Sequence, residues 1–313
     1  MLISGDFCKK GECRCMKEDR KRVVRGCICA GLGGVCWGFS GTCGQYLFAH
    51  YPISSLWLTC VRMLSAGLIL LVLAIIKNRA EVMHLLRSPK DLGLTALYGV
   101  AGIMLCQYSY MTGISHSNAA TTTVLQTLTI VMVMVIACLQ TRRIPKRNEL
   151  LSVLLALFGT FMLATGGKPG QMVLSPKGLF WGLMTAAAMT FYTLLGQPLL
   201  RKWSRNTVMG LAMVMGGAVL NVGAHSWTFH VELPLLGWAL LGVIVVLGTV
   251  LSFSLFMQGI HDAGPVRTSI LSVTEPVSAA ILAVCWLGTR FTAADLIGFA
   301  AILATIFLLA KSE

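Results

Sequence analysis

Apolar residues are grouped in ten runs of about 20 residues each, and short polar segments separate the runs. A run of about 20 apolar residues is long enough to cross the hydrocarbon core of a bilayer as an α-helix. The pattern therefore predicts an all-α integral membrane protein with ten transmembrane helices. The predicted spans are Gly26–Phe48, Ile53–Ile76, Leu92–Thr112, Ala119–Gln140, Leu150–Gly166, Gly178–Leu200, Thr207–His225, Leu236–Met257, Val266–Leu287 and Ala294–Ala310.

The composition excludes a water-soluble protein of this length. Hydrophobic residues make up 56% of the 313 residues and charged residues only 12%, whereas soluble domains use about 25% charged residues. A net charge of +13 would suit nucleic-acid binding if the cations formed a basic stripe on a folded surface. Here the cations flank the apolar runs instead. We therefore expect a lipid bilayer around the chain and no nucleic-acid partner.

Lysine and arginine residues are distributed unequally between the two sets of connecting segments. If the N-terminus is cytoplasmic, 20 of the 25 lie in cytoplasmic segments and only Lys168, Lys177 and Arg290 lie in outer ones. Cytoplasmic segments of membrane proteins are enriched in these residues. We therefore expect a multi-pass protein of the cytoplasmic (inner) membrane, with the N-terminus and the C-terminus both cytoplasmic.

The chain contains an internal repeat. Twelve of the 54 residues in 111–164 recur 146 positions later, and part of the first span recurs 152 positions later. The recurring residues of the first span are Gly26, Phe39, Gly44, Gln45 and Leu47. Because five spans is an odd number, a second copy must insert upside down, and inverted repeats are typical of transporters. The predicted division is a basic cytoplasmic tail (1–25), a first five-helix repeat (26–166), an external linker (167–177) and a second five-helix repeat (178–313).

Several motifs resemble the drug/metabolite transporter superfamily, in its EamA-type branch. They are Trp37-Gly38, Arg62, the stretch from Thr268 through Glu275-Pro276 to Thr292, and Leu296-Ile297-Gly298. The first half departs from the pattern, because Thr129-Ile130 occupy the positions of Glu275-Pro276. The resemblance implies secondary transport of small metabolites. On this basis we expect an exporter of compounds such as amino acids, working by alternating access.

Two ionisable residues fall near the middle of predicted spans. Glu275 is the only acid deep inside a predicted span, because Asp295 lies at the very start of the tenth, and Arg62 lies well inside the second. Such groups cost roughly 2.5–3.5 kcal/mol on insertion scales, so each is a functional hypothesis. Glu275 is either a substrate contact and coupling group, with protons as the candidate ion, or a protonated acid bonded between helices. Arg62 either sets the charge state of Glu275 or is a folding residue satisfied by carbonyls. Pro276 has no N–H, so the Ser272 carbonyl is expected to lose its helical partner.

Polar and aromatic residues inside the spans mark the candidate substrate site. Intramembrane polarity is concentrated in the third and fourth predicted spans and in their repeat mates, the eighth and ninth. The candidate substrate-binding residues are Trp37, Gln107, Tyr108, Tyr110, Gln126, Tyr192, Asn221, Ser252, Ser272 and Glu275. Many hydroxyls in membrane helices bond only their own helix or a neighbour, so residue type alone does not identify a cavity wall.

Two alternatives stay open at this point. One is a channel-like facilitator of the same fold. The other is an intramembrane serine protease, because residues 38–41 resemble a serine motif and His225 is a candidate base for Ser40. No nucleotide, haem or zinc-protease motif occurs, so we expect a gradient-driven protein without enzymatic activity, cofactor or metal. Three cysteines of the tail are expected to be reduced thiols, namely Cys8, Cys13 and Cys15.

Overall fold

The computed structural model describes the backbone of residues 5–310 and the side chains of residues 21–264, 267–268 and 270–310. All regular structure in this part of the chain is helical. The α-helices are α1 (Gly5–His50), α2 (Ser55–Leu86), α3 (Pro89–Leu97), α4 (Leu105–His116), α5 (Ala119–Gln126), α6 (Thr129–Gln140), α7 (Arg147–Thr165), α8 (Pro176–Lys202), α9 (Arg205–Ala224), α10 (Leu235–Val245), α11 (Ser252–Ala263), α12 (Pro265–Leu271), α13 (Thr274–Cys285) and α14 (Ala293–Ala310). Two π-helical segments, π1 (Tyr98–Met104) and π2 (Val246–Leu251), and a short 3-10 turn (Ser226–Thr228) complete it.

These helices form ten spans when pieces that continue one another are counted together. The third span is α3, π1 and α4, the fourth is α5 and α6, the eighth is α10, π2 and α11, and the ninth is α12 and α13. Within the described residues, nine of these spans are apolar and long enough to cross a membrane. The exception is the span formed by α12 and α13, which consists of two shorter helices. The predicted ten-span, all-helical membrane fold is confirmed. We call the membrane face where the first span begins the N-face, and the face where it ends the opposite face.

The fourth and ninth spans are each interrupted near the middle. In the fourth, α5 ends at Gln126 and α6 begins at Thr129. In the ninth, α12 ends before residue 272 and α13 begins at Thr274. The Ser272 carbonyl does not lose its partner, because it accepts a hydrogen bond from the Glu275 N–H at 3.1 Å. Pro276 is the third residue of a new helix, where its missing N–H has no helical partner to lose.

A threonine at the start of the second helix stabilises each of the two breaks. The Thr129 hydroxyl lies 2.7 Å from the Gln126 carbonyl oxygen and 3.0 Å from that of Ala186 in the sixth span. The Thr274 hydroxyl lies 2.8 Å from the Leu271 carbonyl oxygen and 3.1 Å from that of Gly31 in the first span. A helix break frees backbone carbonyls, and in both spans a hydroxyl satisfies one of them. Each break is thereby attached to the opposite repeat.

The packing of the spans follows the repeat. The first span packs on the eighth and ninth, and its mate, the sixth, packs on the third and fourth. The second and seventh spans, which are mates of each other, also pack together, as do the fifth and tenth. Small residues permit the close contacts: a Cβ added at Gly210 would lie 2.7 Å from the Leu71 nitrogen. The two inverted repeats therefore surround a common centre.

Candidate functional site

A cavity lies at this centre, where both repeats contribute side chains. Its empty volume is about 590 Å³. The residues that line it are Trp37, Arg62, Ile103, Cys106, Gln107, Tyr110, Gln126, Met189, Tyr192, Phe253 and Glu275. The cavity therefore combines one cation, one acid, two amides and an aromatic wall.

Arg62 is held at the cavity by π2. Its side chain is only 4% exposed, and its Nε donates to the Thr249 hydroxyl at 3.1 Å while Nη2 donates to the Gly248 carbonyl at 3.2 Å. The remaining nitrogen, Nη1, is buried and has no hydrogen-bond partner. Arg62 thus satisfies a backbone carbonyl, as its folding interpretation requires, and still has one donor group without a partner.

Glu275 lies on the same cavity near the start of α13. Its carboxyl group forms no hydrogen bond or ion pair with any of the side chains that the structure describes, Arg62 included. The first span approaches the Glu275 backbone closely, since a Cβ added at Gly38 would lie 2.6 Å from its carbonyl oxygen. A substituted residue at position 38 would therefore displace Glu275. The acid and the cation share the cavity without neutralising each other by direct contact.

Two amides and a phenol complete the polar lining. Gln107 and Gln126 make no side-chain hydrogen bond within the described residues. The Tyr110 hydroxyl is within 3.0 Å of the Thr123 hydroxyl, and the ring is 7% exposed. Both residues are half-buried, so their amides remain available to a polar ligand or to water in the cavity.

Aromatic rings form the wall toward the N-face. The Trp37 and Phe253 ring centroids are 5.1 Å apart in an edge-on arrangement. Tyr192 packs on Tyr98 with a centroid separation of 5.4 Å. These rings supply apolar surface for the non-polar part of a ligand.

Four predicted binding residues do not line this cavity. Tyr108 packs edge-on against Trp181 at 5.3 Å. Asn221 donates to the Gly217 carbonyl at 2.7 Å and accepts from Ser226. Ser252 is buried and bonds the Leu247 carbonyl inside the eighth span, and Ser272 lies at the break of the ninth span. Their hydrogen bonds or ring contacts place Tyr108, Asn221 and Ser252 in the helix framework.

The cavity also contains residues that the sequence reasoning missed. Ile103, Cys106, Met189 and Phe253 are apolar, and nothing in their pattern distinguishes them from lipid-facing residues. Only Phe253 carried a signal, because it lies between two serines in the polar part of the eighth span.

A second cavity opens at the N-face between the second, seventh and eighth spans. Its empty volume is about 1400 Å³, and Phe253 lines both cavities.

At the opposite face, Gln45 links three segments of the chain through hydrogen bonds. Its Oε1 accepts from the Ala119 N–H at 2.9 Å, and its Nε2 donates to the Thr289 hydroxyl at 3.3 Å. The described conformation is therefore closed by contacts at the opposite face and hollow at the N-face.

The structure does not assemble the protease pair. Ser40 is 2% exposed, packs against Gly248, and its hydroxyl has no hydrogen-bond partner in the described part of the chain. His225 is exposed at the end of α9 and contacts the Trp227 ring at 5.3 Å. A serine nucleophile needs a base within hydrogen-bonding reach, and Ser40 has none there. Cys8, Cys13 and Cys15 have side chains outside the described residues.

An inverted ten-span repeat around a shared polar cavity defines a membrane transporter. The chain belongs to the EamA-like transporter family, which matches it twice, over residues 24–165 and 176–311. This confirms the resemblance to the drug/metabolite transporter superfamily.

Relatives of known name agree with this class. The "uncharacterized inner membrane transporter YicL" of Salmonella typhimurium is 35% identical over 299 residues, which cover 94% of this chain and 96% of the relative. The "uncharacterized transporter YcbK" of Bacillus subtilis is 23% identical over 192 residues, or 59% of this chain and 62% of the relative. A solved structure described as "Crystal structure of protein" superposes with a TM-score of 0.60 at 14% identity, covering 93% of this chain and 99% of its own, and shows the fold alone.

Proposed function

We propose that this protein is a secondary transporter that exports small metabolites, such as amino acids or related compounds, across the inner membrane by alternating access. The observation that carries the proposal is the set of unpartnered polar groups around one cavity. Arg62 Nη1, the Glu275 carboxyl and the Gln107 and Gln126 amides are all available to a ligand. A zwitterionic compound would match this set, because its anionic group suits Arg62 and its cationic group suits Glu275.

The inverted repeat supports alternating access. In such transporters two related halves exchange conformations around a central site, so that the site opens to one face at a time. The N-face cavity and the closed contacts of Gln45 fit one of these two states. If the positively charged N-face is cytoplasmic, the substrate enters from the cytoplasm, which is the loading side that export requires.

Glu275 is the proposed coupling residue. A carboxyl group in a cavity that excludes bulk water exchanges a proton when its hydration or its distance to Arg62 changes between states. Nothing in the described residues fixes its charge through a direct ion pair. This leaves protonation free to follow the conformation.

A proteoliposome experiment tests the function. Purified protein is reconstituted, and labelled amino acids, nucleobases and sugars are screened with and without a proton gradient. We expect at least one class, amino acids first, to show saturable counterflow and gradient-driven accumulation. Flux that does not saturate and shows no counterflow would indicate a channel-like facilitator instead, and no flux of any class would remove the proposal.

Cysteine labelling tests the sidedness. In a variant without the native cysteines, Lys168→Cys should react with a membrane-impermeant maleimide from outside the cell, and Arg201→Cys only after the membrane is opened. Both residues are exposed, Lys168 in a connection at the opposite face and Arg201 in the last turn of α8 at the N-face. The reverse result would place both termini outside the cell and would contradict the proposed direction of transport, which is export.

A further inference from the structure

The N-face cavity contains a cation with no function in the transport site described above. Arg205 is the first residue of α9 and lines this cavity together with Lys77, Glu81 and His261. In the sequence, Arg205 is one of three basic residues in the segment between the sixth and seventh predicted spans. Its surroundings in the structure set it apart from the others.

The guanidinium of Arg205 is mostly withdrawn from solvent and incompletely bonded. Its central carbon lies 5.1 Å from the ring centroid of Phe253, and the Tyr192 hydroxyl lies beside it. Its Nη1 atom is buried and has no hydrogen-bond partner. An unsatisfied buried donor on a charged group is unfavourable, so the arrangement suits a site that an anion completes.

Several other cations at the N-face have carboxylate partners. Arg22 and Arg25 pair with Asp262, Arg143 pairs with Glu149, and Lys202 pairs with Asp91. In each of these pairs a carboxylate of the same chain neutralises the cation. Arg205 has no such pair among the described side chains.

The charges that face Arg205 leave its positive charge available. Glu81 is the acid of the cavity, but its Oε1 accepts from the Ser204 N–H and its Oε2 from the Asn78 amide. His261 is bonded to Asp262, and Lys77 adds a second positive charge to the wall. The N-terminus of α9 contributes partial positive charge at the same place.

We propose that Arg205, with Phe253 and Tyr192, forms a second binding site that takes up a small carboxylate at the N-face before it passes Phe253 into the central cavity. The position of Phe253 on both cavities supports the order of the two sites. A carboxylate, rather than a phosphate, matches a single guanidinium with one free nitrogen, because a phosphate carries more acceptors and charge than Arg205 satisfies. The role in transport rests on the function proposed above, whereas the binding itself does not.

Calorimetry on the full-length chain in nanodiscs, without any gradient, tests the site with benzoate as the probe. We expect benzoate to bind, and Arg205→Gln to weaken it by about tenfold or more, the effect of losing a charge-assisted bond. Arg201→Gln is the matched control, since Arg201 is an exposed cation on the same face, and it should leave affinity unchanged.

The outcomes separate this site from the transport proposal. Benzoate that fails to bind the unmodified chain, or binds Arg205→Gln and the unmodified chain equally, would overturn the site even if transport is observed. Tighter binding of phenyl phosphate than of benzoate through Arg205 would overturn the carboxylate assignment. Equal affinities for neutral benzamide and for benzoate would show that the site does not recognise the negative charge, and would overturn the proposal. If Arg205→Gln does not fold, Arg205→Lys decides, because it keeps the charge without the planar fork and should bind with intermediate affinity.

Discussion

The fourth and ninth spans have the same construction, and they differ in one functional group. Each is broken near its middle, and in each the first threonine of the new helix bonds a carbonyl of the other repeat. At the ninth break Glu275 follows Thr274, whereas at the fourth Ile130 follows Thr129. The shared part is the geometry that holds two inverted repeats around a cavity, and the acid is the part that only one repeat supplies. The structural and the coupling roles of a broken span can therefore be separated by mutation.

The largest effect is expected for Glu275→Gln compared with Thr129→Val. Glu275→Gln keeps the size of the side chain and removes its exchangeable charge, so gradient-driven transport should fall on the order of 100-fold, or about 2.7 kcal/mol. Exchange of substrate for substrate should continue. Thr129→Val removes two hydrogen bonds and should cost about 1 kcal/mol of stability while leaving the coupling intact.

The two assays are accumulation under a proton gradient and counterflow, with melting temperatures for both variants. Glu275→Gln that accumulates substrate with unchanged pH dependence would show that the acid is structural. Loss of coupling in Thr129→Val would show that the two breaks are not chemically distinct.

A smaller effect is expected at the free amides of the cavity. Gln126 ends α5 on the fourth span, and Gln126→Leu replaces its amide by an apolar group of similar size. Transport should fall by about tenfold, the effect of one hydrogen bond to substrate, and folding should be unaffected because no protein partner is left unpaired. The measurement is the initial rate of counterflow at equal protein content.

The matched control lies at the end of the same span. Gln140 is exposed and outside the cavity, so Gln140→Leu should transport normally. Equal rates for both variants would place the substrate elsewhere.

The smallest effect is expected for substitutions of Gln45 and Gln197, two glutamines at equivalent positions of the two repeats. Gln45 ties the opposite face together, while its mate Gln197 is exposed. Gln45→Leu should destabilise the closed opposite face by about 1 kcal/mol, which changes the ratio of the two states by about fivefold. Gln197→Leu should leave this ratio unchanged.

Spin labels at positions 50 and 290, both exposed at the opposite face, report the change as a distance distribution. Gln45→Leu should add a population at longer distance. An unaltered distribution in Gln45→Leu, or the same shift in Gln197→Leu, would refute the assignment of Gln45 as a closing contact.

The sequence was sufficient for the fold because hydropathy is dictated by the bilayer. The ten runs and their repetition predict the spans, but not the interruptions of the fourth and ninth. The residues at those breaks are ordinary helix residues such as Leu128 and Val273, and the interruptions depend on carbonyl partners in other spans. The π-helical segments carried no sequence signal either.

The site was predicted only in part for a related reason. Gln107 faces the cavity and Tyr108 does not, although the two are adjacent and equally polar. In a multi-span bundle both the lipid-facing and the buried sides of a helix are apolar, so periodicity does not show which side a polar residue occupies. Arg205 was counted with the connecting segments because the apolar run begins two residues later, and its long side chain returns into the protein.

The π-helical segment π2 gives the eighth span a capacity for rotation. A π segment contains one residue more than the α-helix that it replaces. If π2 changed to α-helical hydrogen bonding, the part of the span on one side would turn by about 100° relative to the other, because an α-helix has about 3.6 residues per turn. Phe253 lies directly beyond π2, and Arg62 holds the segment by its Gly248 carbonyl and Thr249 hydroxyl. The hydrogen bonds of Arg62 to π2 therefore help to set the position of Phe253, the residue that the two cavities share.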